Sequence, residues 1–368
     1  MTENRSKQSE PSPETQHKIT LDEDQVPPSF TAEEAKQLVA RLYGLNVQNV
    51  TELDSFLDQN FRITVTDGSD GILDYTMKII NAKDSSNEGF MQGMIDILLY
   101  LEENGISCPK PVKMLNGNYL SKHATPGGAE HAIYLQTYIH GVPLNELKEI
   151  SLPQCYSVGA YLGRMHKALQ GFEHCGLQNE KGQWRMENVC ALKNYIQEVC
   201  DEDQRQLVLT VLKSFEDNVV PLYSSFHKGI IHGDYRAANV IVQPNDIDKS
   251  VTSEHTHAIT GLIDFGDVTF SCFMFEIAIT TAHFVMEESK NPSLVAERVL
   301  AGYETEFSLT DQERAQLEVC TLARMAQVAV VGSFELQKQP TNEYVKEITT
   351  MAWKSLKRHI KEPIYKKL

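Results

Sequence analysis

The sequence predicts an α+β fold in which a small, strand-rich N-terminal part precedes a larger, mainly helical part. Three observations carry this expectation. Between residues 47 and 80 three short apolar stretches follow one another, and Phe61, Ile63 and Val65 alternate with polar residues as on a half-buried strand. A helical segment and a second pair of strand-like stretches complete this first part. From Leu144 onward apolar residues recur mostly at helical spacing. Strands, helix and strands within so short a span form one small lobe, and the helices after it form another.

Residues 1–28 are polar, rich in Pro, Ser and Glu, and read as a disordered tail. The segment "TAEEAKQLVARLYGL" then opens with Thr31 and Glu34, a capping box whose side chains satisfy the free N–H groups of a helix, and Gly44 stops it. Strands are expected over 47–53, 61–66 and 75–80, with "TDGSDG" as a hairpin connection. A helix rich in Met, Ile and Leu follows Asn87 and runs to about Asn104. A strand pair is expected near 112–115 and 133–139. Beyond it, helices are expected around 155–172, 192–226, 274–287, 294–307 and 311–336, with strands around 230–242 and 260–264. The polar run "QPNDIDKSVTSEHTHA" between those strands reads as a surface loop. The resulting division is 1–28 tail, 29–138 N-terminal lobe and 139–368 C-terminal lobe.

Composition narrows the function. A net charge of −16 over 368 residues argues against a nucleic-acid surface or an anionic membrane as partner and favours a cationic small molecule. Seven scattered cysteines, none in a CxxC pair, argue against a disulfide framework or a zinc site and for a reducing compartment. The N-terminus lacks the apolar segment of a signal peptide, so the cytosol is the expected location. The apolar run 319–334 is interrupted by Arg324 and Gln327 and reads as a core helix.

The chemistry concentrates in "IIHGDYRAANVIV" at 230–242 and "GLIDFGDVTF" at 261–270. Each is an apolar strand that delivers polar groups at one end. Phosphoryl transfer from a nucleotide needs such a set: a carboxylate to orient the acceptor hydroxyl and take its proton, hard oxygen ligands for Mg²⁺, and a cation near the transferred group. Asp234 fits the first role, Asn239 and Asp264 the second, and Arg236 the third.

"HGDYRAAN" with "IDFGD" resembles the aminoglycoside phosphotransferase and choline kinase family, whose two-lobed fold is similar to that of protein kinases. Within it, "DQNF" (58–61), "YTMKI" (75–79), "LQTYIHGVPL" (135–144) and "GLIDFGDVTFSCFMFEIAIT" (261–280) resemble the hydroxylysine kinases, from about residue 30 to the C-terminus. The resemblance implies a Mg²⁺-dependent kinase that uses GTP or ATP, with 5-hydroxylysine as acceptor. It implies that His232 braces the catalytic loop and that Lys78 contacts the nucleotide phosphates. The position of the glutamate that normally fixes such a lysine is held by Gln92, so either Gln92 or Glu88, one turn earlier on the same face, is expected to partner Lys78. "LDSFLDQNFRI" takes the place of a phosphate-covering turn without a glycine, where Ser55 or Gln59 contacts nucleotide or the segment is an ordinary hairpin. The resemblance makes 136–139 the hinge, whose backbone groups, Gln136 and Tyr138 among them, bond the base edge. His166 is expected to be structural, and Glu276 to brace the catalytic loop in preference to reading a substrate ammonium. Two alternatives stand: a kinase of choline, ethanolamine, homoserine or an aminoglycoside, and a nucleotide-binding pseudokinase that serves as an interaction module.

Overall fold

A computed structural model of the chain describes residues 26–55, 57–66, 71–125, 127–178, 182–243, 256–287 and 291–366. The N-terminal lobe is a five-stranded antiparallel sheet in the order β1-β2-β3-β5-β4. Its strands are β1 (Val47–Leu53), β2 (Gln59–Thr66), β3 (Ile72–Ile79), β4 (Ser121–Ala124) and β5 (Glu130–Thr137). The alternation read at Phe61, Ile63 and Val65 is that of β2. These side chains join Met77, Ile79, Ile133 and Leu135 on one face, covered by Ala35, Leu38 and Val39 of α1 (Ala32–Tyr43). The capping box at Thr31 and Glu34 is present, with Glu34 N–H donating to Thr31 Oγ1 at 3.2 Å and Thr31 N–H to Glu34 Oε2 at 2.7 Å.

The other face of the sheet meets α3 (Glu88–Glu103), which follows the single turn α2 (Ala82–Ser85). Tyr134 and Ala132 of β5 share a core here with Met94 and Leu98 of α3, and that core continues into the C-terminal lobe. The strand period places Lys78 on this second face, between Met77 and Ile79 of the first. The lysine therefore faces the cleft between the lobes.

The C-terminal lobe is built on α4 (Leu152–Leu169), α5 (Glu202–Asn218), α6 (Phe273–Glu287), α7 (Pro292–Glu304), α8 (Asp311–Lys338) and α9 (Glu343–His359). A backbone contact brings α4 and α7 together: a Cβ on Gly159 would lie 1.9 Å from the carbonyl oxygen of Val299. Helix α8 has 28 residues and is long and apolar enough to cross a bilayer, but 78% of its most apolar window is buried inside the protein. Two small strand sets lie beside the helices. β6 (Val142–Pro143), β8 (Val240–Gln243) and β9 (Ala258–Leu262) form one, and β7 (Lys228–Ile231) pairs with β10 (Thr269–Cys272) in the other.

Several expectations change. Residues 112–115 are not a strand: Val112 makes one ladder-like bond to Leu135 O, after which Met114 N–H donates to Asn118 O and the chain turns. The partner of β5 is instead the polar edge strand β4, which no apolar pattern marks. The stretch 192–226 is not one helix, because Met186–Glu198 is a 3-10 segment that precedes α5. The two apolar runs of 230–242 belong to different strand sets and do not pair. The tail 1–28 is shorter than expected at its C-terminal end: Val26 O accepts from Ala82 N–H at 3.1 Å, and residues 1–25 lie outside the described residues. Positions 67–70 of the hairpin connection and 244–255 of the surface loop also lie outside them. β10 and α9 were not anticipated.

Candidate active site

The loop between β7 and β8 carries most of the chemistry, and its shape follows from three anchors. Gly233 has φ +83, and a Cβ there would lie 2.3 Å from Asp267 O, so only glycine fits. Glu276 of α6, completely buried, accepts the N–H of Gly233 at 3.0 Å and of Tyr235 at 3.3 Å. Tyr235, also completely buried, donates its hydroxyl to Val158 O of α4 at 3.0 Å. These contacts hold the backbone on both sides of Asp234.

Asp234 is oriented by its own loop. Its Oδ2 accepts from Arg236 Nε at 2.7 Å and from Asn239 Nδ2 at 2.9 Å. Asn239 Nδ2 also donates to Asp234 O at 2.8 Å. Arg236 continues to Tyr344 of α9, donating Nη1–H to its hydroxyl at 2.7 Å. His232 accepts the N–H of Asp234 on Nδ1 at 3.3 Å, which leaves Nε2 to donate to Ile263 O at 3.0 Å. Both ring nitrogens are thus committed to backbone, and burial lowers the imidazole pKa, so His232 is neutral. It links the loop to the strand that delivers Asp264.

Asp264 is the one described non-glycine residue with positive φ, at +67. That left-handed backbone turns its carboxylate toward the N-terminal lobe, where Oδ1 accepts from Lys78 Nζ at 3.0 Å. The Lys78 ammonium holds the Asp264 pKa below the usual range. Burial works to lower the pKa of Lys78, but Asp264 and Asp58 outweigh it and the net shift is upward. Asp58 accepts from the N–H and Nδ2 of Asn81, at 2.9 Å and 3.0 Å, and burial raises its pKa. Lys78 therefore takes its negative neighbours from the end of β9 and from the turn before β2.

The structure does not bring Gln92 or Glu88 to Lys78. Gln92 donates to Asp96 at 2.8 Å, and Glu88 pairs with Lys122 at 2.8 Å with its side chain 81% exposed. The reason is rotational: Phe90, Met91, Met94, Ile95, Ile97, Leu98 and Leu101 form the buried face of α3, and 88, 92 and 96 fall on the opposite one. Gln59 is also occupied elsewhere, exchanging hydrogen bonds with the backbone of Phe30 at 2.8 and 2.9 Å and donating to Glu52 at 2.7 Å. Ser55 is exposed in the preceding turn. Gln136 lies buried on β5, opposite Thr76. Tyr138 stacks under the Arg62 guanidinium at 4.5 Å, and its N–H is committed to Asp74 O.

His166 is completely buried, shares a hydrogen bond with the Tyr303 hydroxyl at 2.8 Å, and has a pKa pushed down to about 3 by burial. Glu276 sits beneath the loop, away from solvent, in a bracing position. Arg164 lies near Glu306, 3.5 Å away, and over the Tyr161 ring.

No cluster of three or more His, Cys, Asp or Glu side chains suited to a metal occurs among the described residues. Mg²⁺ needs less than that, since one or two protein oxygens and substrate phosphates suffice. Both side-chain hydrogen bonds of Asn239 use Nδ2, leaving Oδ1, and Asp264 spends Oδ1 on Lys78, leaving Oδ2. Two hard oxygens on adjoining segments fit that ion.

Known proteins fall in line with this geometry. The pattern of the phosphotransferase enzyme family matches residues 49–317. The chain belongs to that family. It is homologous to the hydroxylysine kinases of Mus musculus, 30% identical over 90% of this chain and 89% of that one, and of Xenopus laevis, 31% identical over 89% of each. A homoserine kinase of Methylobacillus flagellatus is 25% identical over 78% of this chain and 80% of its own. Among solved structures, a microcompartment-associated aminopropanol kinase aligns with a TM-score of 0.69 at 16% identity, covering 90% of this chain and 98% of that one. An amicoumacin kinase in complex with AMP-PNP, Ca²⁺ and Ami aligns with a TM-score of 0.66 at 18% identity, covering 92% of this chain and 96% of that one. These likenesses establish the two-lobed kinase-like fold, and family and fold together make the chain a phosphotransferase that acts on a small molecule with a nucleotide as donor.

Two groups near Asp234 escaped the sequence reading. Asp267 lines the cleft; burial, Asp234 and Asp264 push its pKa up. Arg324 of α8 reaches to 3.8 Å from Asp234 Oδ1. Its signal was visible as the arginine that interrupts the apolar run 319–334.

Proposed function

We propose that the protein transfers the γ-phosphoryl group of GTP or ATP to the hydroxyl of 5-hydroxylysine, giving 5-phosphohydroxylysine. The observation that carries this reading is the state of Asp234. Its Oδ2 is held by Arg236 and Asn239, and its Oδ1, which accepts no hydrogen bond among the described residues, is the oxygen that receives the hydroxyl proton. Lys78 contacts the nucleotide phosphates, and Asn239 and Asp264 would hold Mg²⁺, which would supply charge neutralisation there. Gln136 and Tyr138 flank the nucleotide base. Arg236 offsets charge on the transferred group. Homology to hydroxylysine kinases over nine-tenths of the chain supports the acceptor. Homoserine is the second candidate, supported by the weaker match to a homoserine kinase. The scattered spacing of the seven cysteines, with no CxxC pair, supports a reducing compartment, the cytoplasm.

The test is incubation with Mg²⁺ and GTP or ATP against 5-hydroxylysine, homoserine, choline, ethanolamine and an aminoglycoside, followed by detection of the phosphorylated product. The highest kcat/KM is expected for 5-hydroxylysine, with GTP at least as good a donor as ATP. A clear preference for choline or ethanolamine would overturn the acceptor while leaving the phosphotransferase in place.

A further inference from the structure

Arg324 is a buried cation that the transfer of phosphate does not use. It is 3% exposed, midway along α8. From behind it is fixed: Nη1 donates to Trp184 O at 3.0 Å and to Gln327 Oε1 at 2.9 Å, and the Trp184 ring lies 5.0 Å from Cζ. Gln327 is itself held by Gln183 O at 2.8 Å. In front it is under-supplied. Nη2 stands 3.8 Å from Asp234 Oδ1, beyond hydrogen-bond distance, and Nε has no partner. Asp234, Asp267 and Glu276 act on it as charges, but none of them hydrogen-bonds it, so its front edge keeps donors that a further anion can fill.

The position of that anion follows from how Asp234 divides the site. Oδ2 faces Arg236 and Asn239, on the nucleotide side, whereas Oδ1 faces α8. The hydroxyl that gives its proton to Oδ1 therefore arrives next to Arg324. His283 of α6 adds to the same region: it is 4% exposed, its Nε2 has no partner, and Arg324 and Arg236 are the cations that act on it.

We propose that Arg324, with His283 beside it, anchors a carboxylate of the acceptor and so restricts the enzyme to alcohols that are also amino acids. This rests on the reading of Asp234 as the base of a hydroxyl-phosphorylating enzyme. A planar guanidinium held from behind presents Nη2 and Nε as a fork, the geometry that grips a carboxylate by two parallel bonds. Nη2 lies 3.8 Å from Oδ1, so an acceptor whose hydroxyl meets Oδ1 and whose carboxylate lies a few carbons away, as in 5-hydroxylysine or homoserine, can reach both. Choline and ethanolamine have nothing to place there.

The experiment compares each amino acid with its decarboxylated counterpart: 5-hydroxylysine with 1,5-diaminopentan-2-ol, and homoserine with 3-aminopropan-1-ol. Binding to the full-length protein with Mg²⁺ and GDP is measured by calorimetry, and turnover by steady-state kinetics. Wild type is expected to favour the better carboxylated acceptor by ~100-fold or more, since an unfilled buried polar site penalises the analogue. Arg324→Met should erase most of that preference by raising KM for the amino acid, and the decarboxylated partner should lose far less. Arg324→Lys should recover part of it, as a charge without the fork. Equal loss for both members of a pair, or a wild type indifferent to the carboxylate, would overturn the anchor and leave the kinase standing. Discrimination in binding that Arg324→Met abolishes, in a protein that phosphorylates none of these alcohols, would keep the anchor and overturn the reaction. If Arg324→Met does not fold, Arg324→Lys and His283→Asn decide the same comparison.

Discussion

At the scale of single residues the site is a division of labour between atoms. Asp234 spends one oxygen on its own loop and Asn239 spends its amide nitrogen on Asp234, while the other oxygen of Asp234 and the oxygen of Asn239 accept no hydrogen bond among the described residues; in the proposed reaction these two oxygens take the proton and the cation. Asp234→Asn preserves shape but removes both the proton acceptor and the charge that Arg236 answers. Turnover should fall by ~10²–10⁴, the usual weight of a positioned general base, with nucleotide affinity kept. Kinetics and nucleotide titration check this together. A variant within a few-fold of wild type would take Asp234 out of that role. The acid, amide and second acid of this set were legible in the sequence because each sits at the end of an apolar strand. Arg324 and Asp58 were not, since their roles depend on which segments fold against them. Arg324 is ninety residues from Asp234 in sequence, and Asp58 meets Asn81 through the register of β2 with β3.

At the scale of elements, α3 shows how a motif and a helix period can disagree. Counting from Lys78 by resemblance reaches Gln92, but the apolar residues of α3 fix its rotation, and Glu88, Gln92 and Asp96 form the polar stripe that faces outward. That stripe, at i, i+4 and i+8, was readable from the sequence and would have placed Gln92 in solvent. Strands failed differently. β4 is short, polar and at an edge, so nothing in its composition marks it, and β10 is recognised only through its pairing with β7. Gln92→Glu should therefore leave kcat/KM within about two-fold of wild type. It should lower stability by ~0.2–0.5 kcal/mol, since it sets like charges at i, i+4 with Asp96. Activity assays and thermal melting test this. A several-fold gain in activity would mean that α3 rotates to bring position 92 to Lys78.

At the scale of the whole molecule, one of the anchors that tie the loop around Asp234 to the helical core is a buried carboxyl, and this ties stability to pH. Burial pushes Glu276 up to about 7 from its ordinary value of 4.5, and the N–H groups of Gly233 and Tyr235 pull the other way. A carboxyl whose folded pKa is raised stabilises the fold fully below its unfolded pKa and loses that contribution as pH rises through the folded one. The window runs from pH 4.5 to about 7, and the full contribution is about 3 kcal/mol. His166 acts at the acid end of the same range with the opposite slope: its folded pKa is depressed to about 3, so its contribution is present above its ordinary 6.5 and lost as pH falls. The two terms mask one another in wild type, and a substitution separates them. Glu276→Gln keeps an oxygen for the loop and cannot titrate. Its melting temperature should start below that of wild type at pH 5 and close the gap as pH approaches 8. A constant offset between the two curves would mean that Glu276 does not change ionisation in this range, and that the loop is held by a carboxylate charged throughout.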